Sequence, residues 1–257
     1  MKIVIAAPYY NPAKGGHIVV HKLCDVLVRQ GMDAWLMFTN VKRQRVNPAY
    51  KTPVTTAFNP ETDVAIYHNS IKGNPWKAKY IIRWMLYTPT NETDGVCLYY
   101  SKQFGDGQVM RLIEPNLDIF VDKGLPRKGT CWVWRKAERQ GWTVADKPIS
   151  GYEISRDYTN EELVDIFNKH ERFISYDGAS FLTAQAVLCG CDSIIPKPLN
   201  GLYAHPHGVS FSMDECAILK ARSEHGLFRA ALTDEYKKQD VLAVDIITDA
   251  IKKLGVQ

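Results

Sequence analysis

Residues 2–9, KIVIAAPY, form a near-continuous apolar run, the mark of a strand buried on both faces in a parallel sheet beneath helices. The period then changes. Over 17–30, Val20, Leu23, Cys24 and Leu27 fall at helical spacing, opposite polar His21, Lys22, Asp25 and Arg29, and Gly31 ends the helix. DAWLMFT over 33–39 is a second strand, so the opening reads strand, loop, helix, strand: a parallel unit with a right-handed crossover. DVAIYH (63–68) is another strand, KAKYIIRWMLYTP (77–89) begins as helix or connection and ends as strand, and LYYSKQF (98–104) is a further candidate.

After Pro115 the pattern loosens through NLDIFVDKGLPRKG, and GTCWVW (129–134) restarts it as a strand. This places a domain boundary near 115–128, with domains over 1–115 and 116–257. In the second half, Thr159 and Glu162 form a capping box ahead of a helix over roughly 160–170. RFISYD (172–177) is a strand, GASFLTAQAVLCGC (178–191) a helix and DSIIPK (192–197) a strand. Ser212 and Glu215 form a second capping box before a helix over MDECAILKARS. A terminal helix over about 233–254 carries Val241, Val244, Ile247 and Ile251 at helical spacing, and packing back on the first domain is one place for it. The alternation predicts two α/β units in tandem, each with a parallel sheet.

Composition narrows the class. A chain of 257 residues, 46% of them apolar, fills a real core, and a net charge of +4 favours anionic ligands without marking a dedicated nucleic-acid binder. The six cysteines show no C-x-x-C pair, which fits reduced, buried thiols. No apolar run reaches the roughly 18–20 residues of a membrane span, so a cytoplasmic protein is expected. The run Lys42-Arg43-Gln44-Arg45 reads as a solvated loop, with a peripheral membrane surface or an anionic acceptor as its other reading.

Two places have the construction of a ligand site at the carboxyl ends of parallel strands. Lys14-Gly15-Gly16 joins the first strand to its helix: it is either a plain turn or a place where backbone N–H groups approach a ligand with no Cβ in the way. In SYDGASFLTAQ (175–185) a strand ends in Asp177, while Gly178, Ala179 and Ser180 open the expected helix and offer amides to a phosphate. Gln185 lies about two turns on. The plainer reading makes Asp177 a helix cap and Gln185 a surface residue.

These residues carry a resemblance. GGHIVVHKLC at the first turn, SYDGASFLTAQAVLCGC near the end and GNPWKAKYIIRWMLYTP between them resemble glycosyltransferases of the GT-B fold, closest to retaining family four. The resemblance implies an α/β fold of two Rossmann-like parallel-sheet domains facing a cleft, in a compact version, with a nucleotide-sugar donor held by the second domain. The donor is expected to be UDP- or GDP-linked and the acceptor a glycan, lipid-linked or other hydroxyl, with no cofactor and no metal, in keeping with the lack of any D-x-D. It assigns Gly15 and Gly16 to the donor diphosphate and sugar. The family's E-x7-E becomes Asp177-x7-Gln185, with Asp177 placed in the catalytic set; both side chains still accept hydrogen bonds from hydroxyls. Arg135 and Lys136, after GTCWVW, are candidates to stabilise the leaving diphosphate, or else a solvated turn. His68 is the catalytic candidate of the first domain, or an ordinary loop histidine. His17 and His21 are weaker donor contacts. Tyr152 and Ile154 lie where the family's base rests.

Other features read as structural: His205-Pro206-His207 lacks a third ligand, and Trp132, Trp134 and Trp142 alternate into a core. Two rivals remain open, a phage-type transferase acting on a modified DNA base, with duplex DNA as acceptor, and a non-catalytic nucleotide-sugar-binding protein.

Overall fold

The computed structural model describes residues 1–12, 14–40, 42, 44–87, 92, 94–135, 137–138, 141–155, 158–178, 180–197 and 207–256. The chain divides into two compact units, one of residues 1–114 with 236–257 and one of 115–235.

The first unit is built on a six-stranded, wholly parallel sheet of β1 (Ile3–Ala7), β2 (Ala34–Phe38), β3 (Val64–His68), β4 (Tyr80–Met85), β5 (Val96–Tyr99) and β6 (Gln108–Val109), in the order β2-β1-β3-β4-β5-β6. All five residues of β1 are buried, as its central place and continuous apolar run require. Its alternate side chains serve two cores. Ile3, Ile5 and Ala7 join the apolar stripe of α1 (Gly15–Arg29), including Val20, Leu23 and Leu27. The same core takes Ala243, Ile246, Ile247, Ala250 and Ile251 from the far part of α5 (His225–Lys253), which supplies the second helix on this face.

On the opposite face, Ala6, Ala65, Tyr67, Ala78 and Ile81 pack with loop residues Phe58, Ile71 and Trp76. A loop covering leaves backbone carbonyls to be satisfied, and buried Arg83 does so: it donates to the Ile71 carbonyl at 3.0 Å, the Gly73 carbonyl at 2.6 Å and Asp94 at 2.8 Å.

The second unit holds a five-stranded parallel sheet of β7 (Thr130–Val133), β8 (Tyr152–Glu153), β9 (Arg172–Ser175), β10 (Asp192–Ile194) and β11 (Val209–Ser210), in the order β11-β10-β9-β7-β8. α2 (Asn160–Lys169) precedes β9 and packs Phe167 edge-on to Phe173 at 5.3 Å. α3 (Leu182–Leu188) joins β9 to β10. On the other face, Ile218 of α4 (Glu215–Ser223) meets Trp132, Ile174 and Ile194.

Several elements depart from expectation. α3 begins at Leu182 rather than Gly178, because the Ser180 hydroxyl accepts the Leu182 amide at 3.3 Å and holds the chain in a turn. Asp214, not Ser212, caps α4 by accepting the Ala217 amide at 3.1 Å, while Ser212 accepts the Asp214 amide at 3.0 Å. α5 starts at His225 and runs through the expected start at 233, where the Thr233 hydroxyl donates back to the Arg229 carbonyl at 2.7 Å. Cys24, Cys131, Cys189 and Cys191 are buried, whereas Cys97 is half-buried and Cys216 exposed. No described helix is long and apolar enough to cross a membrane.

Candidate functional site

In the first unit the carboxyl ends of the strands and the start of α1 form one edge. α1 begins at Gly15 with Lys14 as its N-cap residue, and no side chain caps it. By contrast α2 carries its full Thr159/Glu162 capping box. Gly15 and Gly16 are exposed. A Cβ added at Gly15 would meet nothing within 4 Å, and one at Gly16 only the Leu86 methyl at 3.9 Å. Neither glycine has a positive φ, so neither the backbone nor the packing demands glycine there. What glycine leaves at this spot is bare backbone N–H at the positive end of a 15-residue helix.

Three histidines lie at this edge. His17 donates from Nδ1 to the Tyr9 carbonyl at 2.6 Å, which leaves the lone pair on Nε2. His21, fully buried, donates from Nε2 to the Pro8 carbonyl at 2.8 Å. His68, the last residue of β3, is of the opposite polarity: its Nδ1 receives the Ser70 amide at 3.3 Å, so Nε2 carries the proton, and that shielded N–H has no acceptor among the described residues. Burial, helped by His17, pushes the His68 pKa down to about 4, so the ring is neutral at ordinary pH. Burial likewise lowers His17 and His21.

In the second unit Asp177 follows β9 by two residues and is 3% exposed; its carbonyl accepts the Ser175 hydroxyl at 2.5 Å. Gly178 and Ser180 lie in the turn that follows, and Gln185, 8% exposed, sits on α3. Asp177, Gly178, Ser180 and Gln185 thus belong to one strand–turn–helix segment. Arg135 is exposed just beyond β7. Tyr152, on the edge strand β8, shares its hydroxyl with Tyr158 at 3.0 Å and lays its ring 5.6 Å from His170. Ile154 is wholly buried. Lys136 and Ala179 lie outside the described residues, as do residues 88–90 after β4 and His205. His207 pairs with Glu224 at 3.3 Å. Among the described residues no three His, Cys, Asp or Glu side chains are grouped to hold a metal ion.

Two groups escaped the sequence. One is the His68 N–H, whose role depends on Ser70 folding back over it. The other is an aromatic cluster of Trp134, Trp142 and Tyr176 at the carboxyl edge of the second sheet.

No protein-family model matches the chain, and no curated protein does. Two parallel α/β sheets in succession are nonetheless a fold shared with a solved glucosyltransferase. A structure of T4 phage β-glucosyltransferase, described by its substrate binding and proposed catalytic mechanism, matches with a TM-score of 0.50 and 9% identity over 98% of this chain and 99% of that one. An α-glucosyltransferase in complex with UDP and a 13-mer DNA containing an HMU base gives a TM-score of 0.49 and 12% identity, over 98% and 99%. The likeness is one of fold.

Proposed function

We propose that this chain is a nucleotide-sugar-dependent glycosyltransferase, and that its acceptor is a hydroxylated base in DNA rather than a glycan. The observation that carries the transferase reading is the uncapped start of α1, where Gly15 and Gly16 expose amides that no packing requires to be glycine. The fold shared with a phage glucosyltransferase supports it. A phage glucosyltransferase as the neighbour in fold brings the DNA-base acceptor to the front, and a net charge of +4 permits it.

In this reading the amides of Gly15 and Gly16 are the first unit's phosphate contacts, and Arg135 and Lys136 are the second unit's cations for the charge of a departing diphosphate. Asp177 and Gln185 accept hydrogen bonds from sugar and ribose hydroxyls, and the amides of Gly178, Ala179 and Ser180 are the groups offered to a phosphate. His68 donates its Nε2 proton to a ligand oxygen, while His17 Nε2 is the group able to accept the proton of the attacking hydroxyl. Retention at the anomeric carbon rests on the family-four resemblance, and proton NMR of the product decides it.

The test is transfer from UDP-, GDP-, ADP- and dTDP-sugars to duplex DNA containing a hydroxymethylated base, with unmodified DNA and free glycans as controls. Transfer to the modified duplex, weakening steeply with salt, is the expected result. Transfer to glycans alone would replace the acceptor, and tight donor binding without transfer would make the chain a binding protein. Neither binding nor turnover with any donor would sink the reading.

A further inference from the structure

Neighbouring strands β7, β9 and β10 each run off the carboxyl edge of the second sheet into residues that gather around one point. Trp134 follows β7, Tyr176 follows β9 and Lys197 lies shortly after β10, while Trp142 comes in from the loop beyond Trp134. The rings of Trp134 and Tyr176 are 4.9 Å apart, Trp142 stands edge-on to Tyr176 at 5.0 Å, and the two indoles are 6.5 Å apart. The Lys197 ammonium lies 3.8 Å from the centre of the Trp142 ring.

A satellite core would close over such rings. Here the core proper is the layer beneath, Trp132, Ile174, Ile194 and Ile218, and all three upper rings remain half-exposed. The Trp142 indole N–H is shielded from water yet has no acceptor among the described residues. Leaving a donor in that state costs on the order of 1–3 kcal/mol unless something else supplies the acceptor. Aromatic faces, an unmatched N–H and a cation, at the edge where parallel sheets take their ligands, suit a planar heterocycle that carries acceptor atoms and a phosphate tail.

We infer that Trp134, Trp142 and Tyr176 form the stacking platform for the base of the nucleotide, with the Trp142 N–H donating to a base acceptor and Lys197 facing the phosphates. This moves the base away from Tyr152, whose ring already lies against His170. The inference rests on the nucleotide-sugar reading.

Calorimetric titration of the full-length chain with UDP, GDP, ADP and dTDP, and with base-free ribose 5-diphosphate, tests it. One of the nucleotides is expected to bind and to quench tryptophan fluorescence. Trp134→Ala should weaken it about tenfold or more, in line with the loss of one stacked base, while leaving the base-free probe unchanged. Trp142→Phe, which keeps a ring and removes the N–H, should cost severalfold and serves if the alanine variant fails to fold. If both folded variants bind as the wild type does, the platform is wrong and the transferase reading stands. If the wild type binds none of the four nucleotides, both fall.

Discussion

His68 receives the amide proton of Ser70 on its Nδ1 at 3.3 Å, and that bond decides which nitrogen of the ring is left to act. Because a backbone amide only donates, the proton of the neutral imidazole sits on Nε2, where no described residue accepts it. Nitrogen NMR shifts of the imidazole should therefore report the Nε2–H form near neutral pH. His68→Phe should lower transfer by about ten- to a hundredfold and His68→Gln, which keeps an N–H, by less. An Nδ1–H spectrum would remove His68 from the donor role.

The same residue should make stability depend on pH. Its pKa is about 4 in the folded chain, against about 6.5 in an unfolded one. Between those values the unfolded chain binds more protons, so the stabilisation is complete above about pH 6.5 and drains away as pH falls toward 4. His17, His21 and His225, also lowered by burial, act with the same sign. Scanning calorimetry at pH 7 and pH 5 should show His68→Gln losing less stability than the wild type, by roughly 1–2 kcal/mol. Equal losses would mean that His68 titrates normally.

Gly16 separates ligand contact from folding. The site has room for a methyl group and its φ is not positive, so Gly16→Ala should leave the melting temperature unchanged or raise it, by up to about 1 kcal/mol of stability. Donor turnover should nevertheless fall at least tenfold, since the added carbon stands between the amide and a phosphate. A variant with full activity would reduce Lys14-Gly15-Gly16 to a connector.

Gln239 pins the far part of α5 to the chain just after β6. Its amide accepts the Ile113 N–H at 2.6 Å and donates to the Ile113 carbonyl at 3.0 Å, with the side chain 2% exposed. Gln239→Leu strands both backbone groups in an apolar setting, at about 1–3 kcal/mol each, and should lower the urea midpoint markedly. An unchanged midpoint would show that water reaches Ile113.

What the sequence made legible follows from the range of the forces involved. β1 and β3 announce themselves because continuous apolar runs of five and four residues are the mark of strands buried in a parallel sheet. α2 is legible because its capping box is wholly local. The two-residue strands β6, β8 and β11 are too short to show a period, and pairing with a longer neighbour is what makes them strands. The starts of α3, α4 and α5 were obscured where Ser180, Ser212 and Thr233 each had two hydrogen-bonding options in reach. At the site, the Gly15-Gly16 turn was visible as a motif, whereas the tryptophans read as alternating core, because the stack of Trp134, Trp142 and Tyr176 joins segments far apart along the chain.

The helix α5 leaves one unit and finishes in the other, so the first unit is written in two segments that flank the second, and the second is contiguous. During synthesis, residues 1–114 emerge with their principal apolar face still waiting for Ala243, Ile246, Ile247, Ala250 and Ile251. The usual vectorial order is thereby reversed: the segment translated second has all its parts first, and the segment translated first is completed only when residues 236–257 leave the ribosome.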